Sequence, residues 1–198
     1  MMSESPPQRL ILASSSQYRK MLLQRLSLTF SCESPELDET PGANEAPADY
    51  VARLAHEKAD KIAQSAVDAI VIGSDQTALF NDQVVGKPGD FKQAFRQLTA
   101  FSGRQIEFLT SVSVLRADTG FAEHYTDKTV VSFRDLQADE IERYLNKEQP
   151  YDCAGSFKAE SLGVVLFSSI SSIDPSAIIG LPLIETAAML RRAGLLLP

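Results

Sequence analysis

Several residue groups in this sequence could act on a phosphorylated substrate if the fold gathered them. Residues 10–26, LILASSSQYRKMLLQRL, set three serines and then Tyr18, Arg19 and Lys20 between an apolar run and a leucine-spaced segment. Cations are unfavourable beside the positive end of a helix dipole, so Arg19 and Lys20 in a first helical turn point to an anion that compensates them. The stretch IGSDQT ends an apolar run with Asp75, where α/β sheets carry catalytic carboxylates, although a turn-forming aspartate fits equally well. ELDET supplies Glu36, Asp38 and Glu39, either a solvated acidic loop or oxygen donors for Mg²⁺ or Mn²⁺. Lys87 in VGKP has no distinguishing chemistry alone, and the glycine and Ser/Thr of a Walker motif are missing around it. AGSFKAE places Lys158 and Glu160 after a small-residue turn, where a plain surface loop is the default. Together these groups offer cations for phosphate, carboxylates for a metal ion and an aspartate for a base. No GxSxG, HExxH, GxGxxG or DxDxT motif competes.

Elements must position these groups, and apolar periodicity predicts them. Residues 10–13 read as a buried strand. A helix over 17–26 follows, with Ser16 as N-cap and Met21, Leu22, Leu23 and Leu26 as its apolar side. A Pro- and Glu-rich loop leads to a helix opening at Pro47, whose apolar stripe is Val51, Leu54, Ala55, Ala59 and Ile62. Lys58 falls inside that stripe, so its ammonium must snorkel or pair. A buried strand over 69–72 is expected to break at Gly73 and resume over 77–80, with a hairpin turn at Asn81 and Asp82. Asp90 caps a helix carrying Phe91, Ala94, Phe95 and Leu98, which Gly103 ends. Strands over 105–115 and 121–133 come next, the second long enough to bend or bulge. Then follows a helix with Ile141, Tyr144 and Leu145 inside. The last third predicts a buried strand over 164–167, a second short strand, a turn at Asp174 and Pro175, and a closing helix over 183–192. Early βα units followed by antiparallel hairpins imply an α/β fold with a mixed, elongated sheet.

At 198 residues and 44% hydrophobic, the chain suits one core, so a single domain over 1–198 is expected, with residues 1–8 as a flexible extension. A net charge of −7 and a pI near 4.9 argue against a broad nucleic-acid footprint. Two widely spaced cysteines, Cys32 and Cys153, fit neither a disulfide framework nor a zinc site and suit a reducing cytoplasm. The polar N-terminus and the lack of a long apolar run predict a soluble, cytoplasmic protein. With only two histidines, a metal site must rely on carboxylates.

Read in order, LILASSSQYRK, LDET, RLAHEKA, VIGSDQ, VGKP, AGSFKAE and IIGLPL are similar to the motifs of the Maf family of nucleoside triphosphate pyrophosphatases. The aromatic Tyr18, SDQ and SFKAE resemble the branch of that family associated with 7-methyl-GTP. The resemblance implies a single elongated Maf/ITPase-like α/β domain with a mixed central sheet, flanking helices and a nucleotide cleft. It implies hydrolysis between the α and β phosphates to a monophosphate and pyrophosphate, with a divalent cation, Mg²⁺ or Mn²⁺, and a homodimer in some members. Carried onto this sequence, Ser14, Arg19, Lys58 and Lys87 would bind phosphate. Glu39 and Asp75 would hold the metal, with Asp75 also the proton acceptor. Tyr18, Gln76 and Glu160 would read the base. Three positions depart from the pattern: Gln17 stands for a proline, Lys20 turns a bidentate arginine into a point charge, and Tyr18 replaces a tryptophan with a smaller stacking face. The competing expectations are a dTTP or UTP pyrophosphatase and a nucleotide-binding cell-division regulator without catalysis.

Overall fold

The computed structural model describes residues 8–197, so the extension expected at residues 1–8 lies, except for Gln8, outside the described residues. The chain forms two compact units, one from Met1–Asp75, Ser111–Thr126 and Leu181–Pro198, the other from Gln76–Thr110 and Asp127–Gly180. A seven-stranded mixed sheet runs through the fold. Its strands are β1 (Arg9–Leu12), β2 (Ser31–Cys32), β3 (Ala69–Phe80), β4 (Gln83–Val85), β5 (Gln105–Arg116), β6 (Phe121–Phe133) and β7 (Phe167–Ser171). The order is β2-β1-β3-β5-β6-β7, with β4 on β3. Among the described residues no helix is long and apolar enough to cross a membrane.

In the first unit, β1 lies parallel to β2 on one side and to β3 on the other, with Leu12 opposite Cys32 and Ile72. A strand covered on both faces needs a continuous apolar run, which Leu10, Ile11 and Leu12 provide. Helix α1 (Gln17–Gln24) starts as expected, the Ser16 side chain accepting the Arg19 N–H. Met21, expected inside, is 51% exposed. Leu22 and Leu23 set the buried face, and at 100° per residue Met21 falls about 150° from their midpoint. Strand β2 was not foreseen, because two exposed residues carry no pattern.

Helix α2 (Pro47–Ala63) buries Val51, Leu54, Ala55, Lys58 and Ala59. Strand β3 does not break at Gly73 but runs through it for 12 residues. A Cβ added at Gly73 would lie 2.1 Å from the Ala55 carbonyl oxygen and 2.7 Å from the Ala59 nitrogen. The glycine therefore marks where the α2 backbone rests on the strand, not a turn. Helix α5 (Leu183–Arg192) forms over the expected residues, and Arg116 Nη1 donates to the Ala193 carbonyl just past its end.

The second unit has an aromatic core in which Phe157 packs edge-to-face on Phe108, Phe133 and Phe167, with ring centroids 4.8–5.6 Å apart. Helices α3 (Phe91–Phe101) and α4 (Ala138–Glu148) close over it through Leu98, Phe101, Ile141, Tyr144 and Leu145. Asn81 and Asp82 both have positive φ, which turns β3 tightly into β4. Asp90 caps α3 by accepting the Gln93 N–H, but Phe91 is exposed at the helix entry and stacks on Phe95. The buried strand expected over 164–167 is absent. Leu162–Leu166 form a 3₁₀ helix, with Val164 54% and Val165 47% exposed. The Gly163 N–H bonds the Lys158 carbonyl at 3.0 Å, and the three-residue repeat then turns Gly163 and Leu166 inward together. One strand, β7, follows where two were expected. It pairs antiparallel with β6 across a register shift at Ser132 and Phe133, the irregularity anticipated for β6.

Candidate active site

Six of the expected site residues lie in the first unit, and Ser14, Arg19, Glu39, Lys58 and Asp75 among them interact. Lys58 is buried on α2, and its Nζ lies 2.7 Å from Asp75 Oδ1 and 2.8 Å from Glu39 Oε1. The lysine on the apolar stripe is therefore paired. Its stem crosses the helix–strand interface, and its ammonium meets a strand carboxylate and a loop carboxylate. Asp75 is itself buried, in mid-strand rather than after a break. Ser14, just beyond β1, is buried, and its Oγ lies 3.2 Å from the Ser16 N–H and 3.4 Å from Arg19 Nη1. Burial lowers the Arg19 pKa from its ordinary value, while the charges of Asp75 and then Glu39 oppose that shift. Tyr18, the neighbouring residue on α1, is half-buried.

Two further groups hold this cluster in place. Tyr50 donates its hydroxyl to the Glu39 carbonyl at 2.9 Å, and burial followed by the charges of Asp75 and Glu39 raises its pKa. Arg53 grips Glu45 through two hydrogen bonds, reaches the Thr40 carbonyl and lies over the Tyr50 ring. Glu45 in turn accepts the Gly42 N–H at 2.8 Å. The acidic loop is thus tied to α2 at Glu39 and just after it, at Thr40 and Glu45. Sequence reasoning passed over Tyr50, yet Tyr50, Leu54 and Lys58 stand four apart on one helix face, a spacing that could have revealed it.

Among the described residues no three His, Cys, Asp or Glu side chains gather into a metal cage. Glu39 and Asp75 nevertheless converge on one point, now taken by the Lys58 ammonium. A pair of carboxylates fits Mg²⁺ or Mn²⁺, hard cations that keep several waters and complete their shell with substrate phosphate oxygens.

Gln76, Lys87 and Glu160 belong to the second unit. Gln76 Nε2 donates to Thr110 Oγ1 at 2.8 Å and lies 2.9 and 3.2 Å from the Ala177 and Ile178 carbonyls. Its amide nitrogen is committed to the fold, so its oxygen is the end available to a ligand. Lys87 is exposed between β4 and α3. Glu160 sits in a turn gripped by Glu148, whose carboxylate accepts from Ser161 Oγ and the Leu162 N–H and pairs with Lys158 at 3.5 Å. Partial desolvation raises the Glu160 pKa; its own backbone N–H and Lys158 oppose this, and Glu148 and Asp152 add to it. Glu148 was not singled out from sequence, because its role shows only once the turn folds back on α4.

A family model described as Maf-like protein matches residues 9–193. This chain belongs to the Maf family. Among curated Maf relatives, the 7-methyl-GTP pyrophosphatase of Xanthomonas oryzae pv. oryzae (strain MAFF 311018) is 52% identical over 190 residues, covering 96% of this chain and 99% of that protein. The proteins of that name from Aromatoleum aromaticum and Pseudomonas syringae pv. syringae are 50% and 48% identical, each match covering 96% of this chain and 98% of the relative. A solved HAM1 protein from Coxiella burnetii aligns with a TM-score of 0.43 at 15% identity over 80% of this chain and 98% of that one, too distant to bear on the argument.

Proposed function

We propose that this Maf chain is a nucleoside triphosphate pyrophosphatase that cleaves 7-methyl-GTP between its α and β phosphates, giving the monophosphate and pyrophosphate. The observation that carries the reading is the Lys58 ammonium held between Asp75 and Glu39, with Arg19 and Ser14 beside them. This joins two carboxylates, two cations and a hydroxyl in one unit, the set that phosphoryl chemistry needs. The relatives' shared name supports the choice of substrate.

In this reading Asp75 is the general base. Lys58 engages Oδ1, and Oδ2 is the oxygen that takes the proton from the attacking water. Ser14 Oγ accepts a hydrogen bond from Arg19 and donates its own to a phosphate oxygen. Arg19, Lys58 and Lys87 neutralise the triphosphate and the charge that grows on departing pyrophosphate. Glu39 and Asp75 hold Mg²⁺ or Mn²⁺, which when bound supplies charge neutralisation at the phosphates. Tyr18 stacks on the base, whose N7 methylation makes it cationic. Glu160 accepts from the guanine N1–H and exocyclic amine, and the Gln76 oxygen adds a further acceptor. The reading takes a small-molecule triphosphate as ligand and not nucleic acid, includes a homodimer as the assembly, and locates the protein in the cytoplasm, where cysteines outside any disulfide, such as Cys32 and Cys153, are at home.

The test is pyrophosphate release from 7-methyl-GTP, GTP, UTP and dTTP with Mg²⁺ or Mn²⁺. Preference for 7-methyl-GTP is the expected result. Preference for UTP or dTTP would reassign the base, and tight binding without pyrophosphate release would make the protein a nucleotide-binding regulator.

A further inference from the structure

We propose that Gln97 is a positioning residue that links the Lys87 loop to the turn leading to Glu160, so that phosphate binding and base recognition are adjusted through one side chain. This rests on the roles given above to Lys87 and Glu160.

Gln97 is half-buried on α3, far in sequence from both motifs. Its Nε2 donates to the Gly86 carbonyl at 3.1 Å, and its Oε1 accepts from Ser156 Oγ at 2.5 Å. The Gly86 carbonyl accepts only, which fixes which end of the amide faces it. Among the charged and amide side chains, only an amide donates at one end and accepts at the other with a single planar group.

Each partner sits in a stiff segment. Gly86 starts the loop that bears Lys87. Pro88 in that loop is buried, and the Gly89 N–H bonds the Tyr151 carbonyl at 3.0 Å. Lys87 is therefore an exposed side chain on a loop pinned at both ends. Ser156 is fully buried with φ of 63°, a left-handed conformation that a non-glycine residue holds only when its surroundings enforce it. From Ser156 the chain enters the core at Phe157, and the Lys158 N–H bonds the Tyr144 hydroxyl at 3.2 Å. Glu148 then holds Ser161 and Leu162. Glu160 thus lies between two anchored points, and a shift at Ser156 has little slack in which to dissipate.

A side chain serving only to stabilise α3 would alter the melting temperature on replacement and leave selectivity alone. A positioning residue alters two kinetic quantities that belong to different parts of the substrate. The variants are Gln97→Leu, which removes both bonds, Gln97→Glu, which keeps the acceptor and loses the donor, and Ser156→Ala, which removes the other partner. Each is assayed well below its melting temperature for KM, kcat and the ratio of kcat/KM for 7-methyl-GTP over GTP, with amide hydrogen exchange followed at Gly89 and Ser156.

Gln97→Leu is expected to raise KM about fivefold and to lower the selectivity ratio by a similar factor, the loss of a hydrogen bond or two. Gln97→Glu is expected to raise KM while retaining more of the ratio, and Ser156→Ala the reverse. Exchange quickens at both amides in Gln97→Leu. With active wild type, an unchanged KM and ratio in Gln97→Leu overturns the proposal alone. Quickened exchange at one amide only overturns the link itself. If the wild type releases no pyrophosphate from either substrate, the functional reading falls, and exchange at both amides still decides whether Gln97 joins the two loops.

Discussion

Lys58 and Asp75 form a buried ion pair, Nζ to Oδ1 at 2.7 Å, between a helix and the strand that the helix covers. The same ammonium reaches Glu39 at 2.8 Å, so one cation holds a loop carboxylate to a strand carboxylate. Substitutions here affect stability and chemistry together.

Lys58→Met leaves the buried Asp75 carboxylate without its cation. Breaking such a pair costs roughly 3 kcal/mol or more, which urea unfolding will register as a lower midpoint. Millimolar Mg²⁺ is expected to restore more stability to Lys58→Met than it adds to the wild type, because a divalent cation then fills the gap between the two carboxylates. Equal stabilisation of both proteins would remove Glu39 and Asp75 as metal ligands.

Asp75→Asn keeps an oxygen that accepts from Lys58 but cannot take a proton from water. Turnover is expected to fall by about 10² to 10⁴-fold with an unchanged circular dichroism spectrum, the span usual for a general base. Near-normal turnover would move the base elsewhere.

Glu45 tests how the acidic loop is held. The hydrogen bond from Arg53, followed by that from the Gly42 N–H, lowers its pKa from 4.5 to about 2. A carboxyl with a depressed folded-state pKa stabilises the protein fully above its unfolded value, and that contribution is lost as pH falls through the folded one. The melting temperature of Glu45→Gln should therefore lie below wild type at pH 7, with the gap closing between pH 4.5 and about 2. Added salt should narrow the gap at pH 7, since the pair is only partly buried.

Glu160 offers a second pH signature. Desolvation raises its pKa, so on acidification it takes up its proton at a higher pH than an ordinary glutamate. A protonated Glu160 no longer offsets a cationic base. The preference for 7-methyl-GTP over GTP should decline on acidification before the ordinary glutamate range is reached. Glu160→Gln should show a weak preference at every pH, and a wild-type preference that stays flat with pH would dismiss the role.

Much of the fold was legible because it follows period and punctuation. Ser16, Asp90, Pro47 and the Asn81–Asp82 pair mark boundaries by local hydrogen bonding or fixed dihedrals, and each acts where its type predicts. The misses share a cause: close approach between segments leaves no local signal. Gly73 looked like a break because its reason lies in the α2 backbone, and residues 164–167 were read as strand because the reason for their 3₁₀ turn lies at Lys158. In the candidate site, Lys58 stood out as a cation on an apolar face, and its pairing with Asp75 and Glu39 answers that anomaly. Tyr50, Arg53, Glu45, Gln97 and Glu148 were harder to find, since each acts by gripping a segment whose position only the folded chain defines.

Asp75 and Gln76 are consecutive on β3, with the base of the proposed reaction and a reader of the nucleobase joined by one peptide bond. Adjacent Cα atoms are held about 3.8 Å apart, and successive side chains on a strand point to opposite faces. Substitution at position 76 can therefore retune what is recognised while the hydrolytic carboxylate keeps its place. Inserting or deleting a single residue at that point would reverse the facing of the side chains that follow it on β3. New specificities in this scaffold are thus open to point changes and closed to changes of length, an expectation that a library of variants across residues 74–77 would put to work.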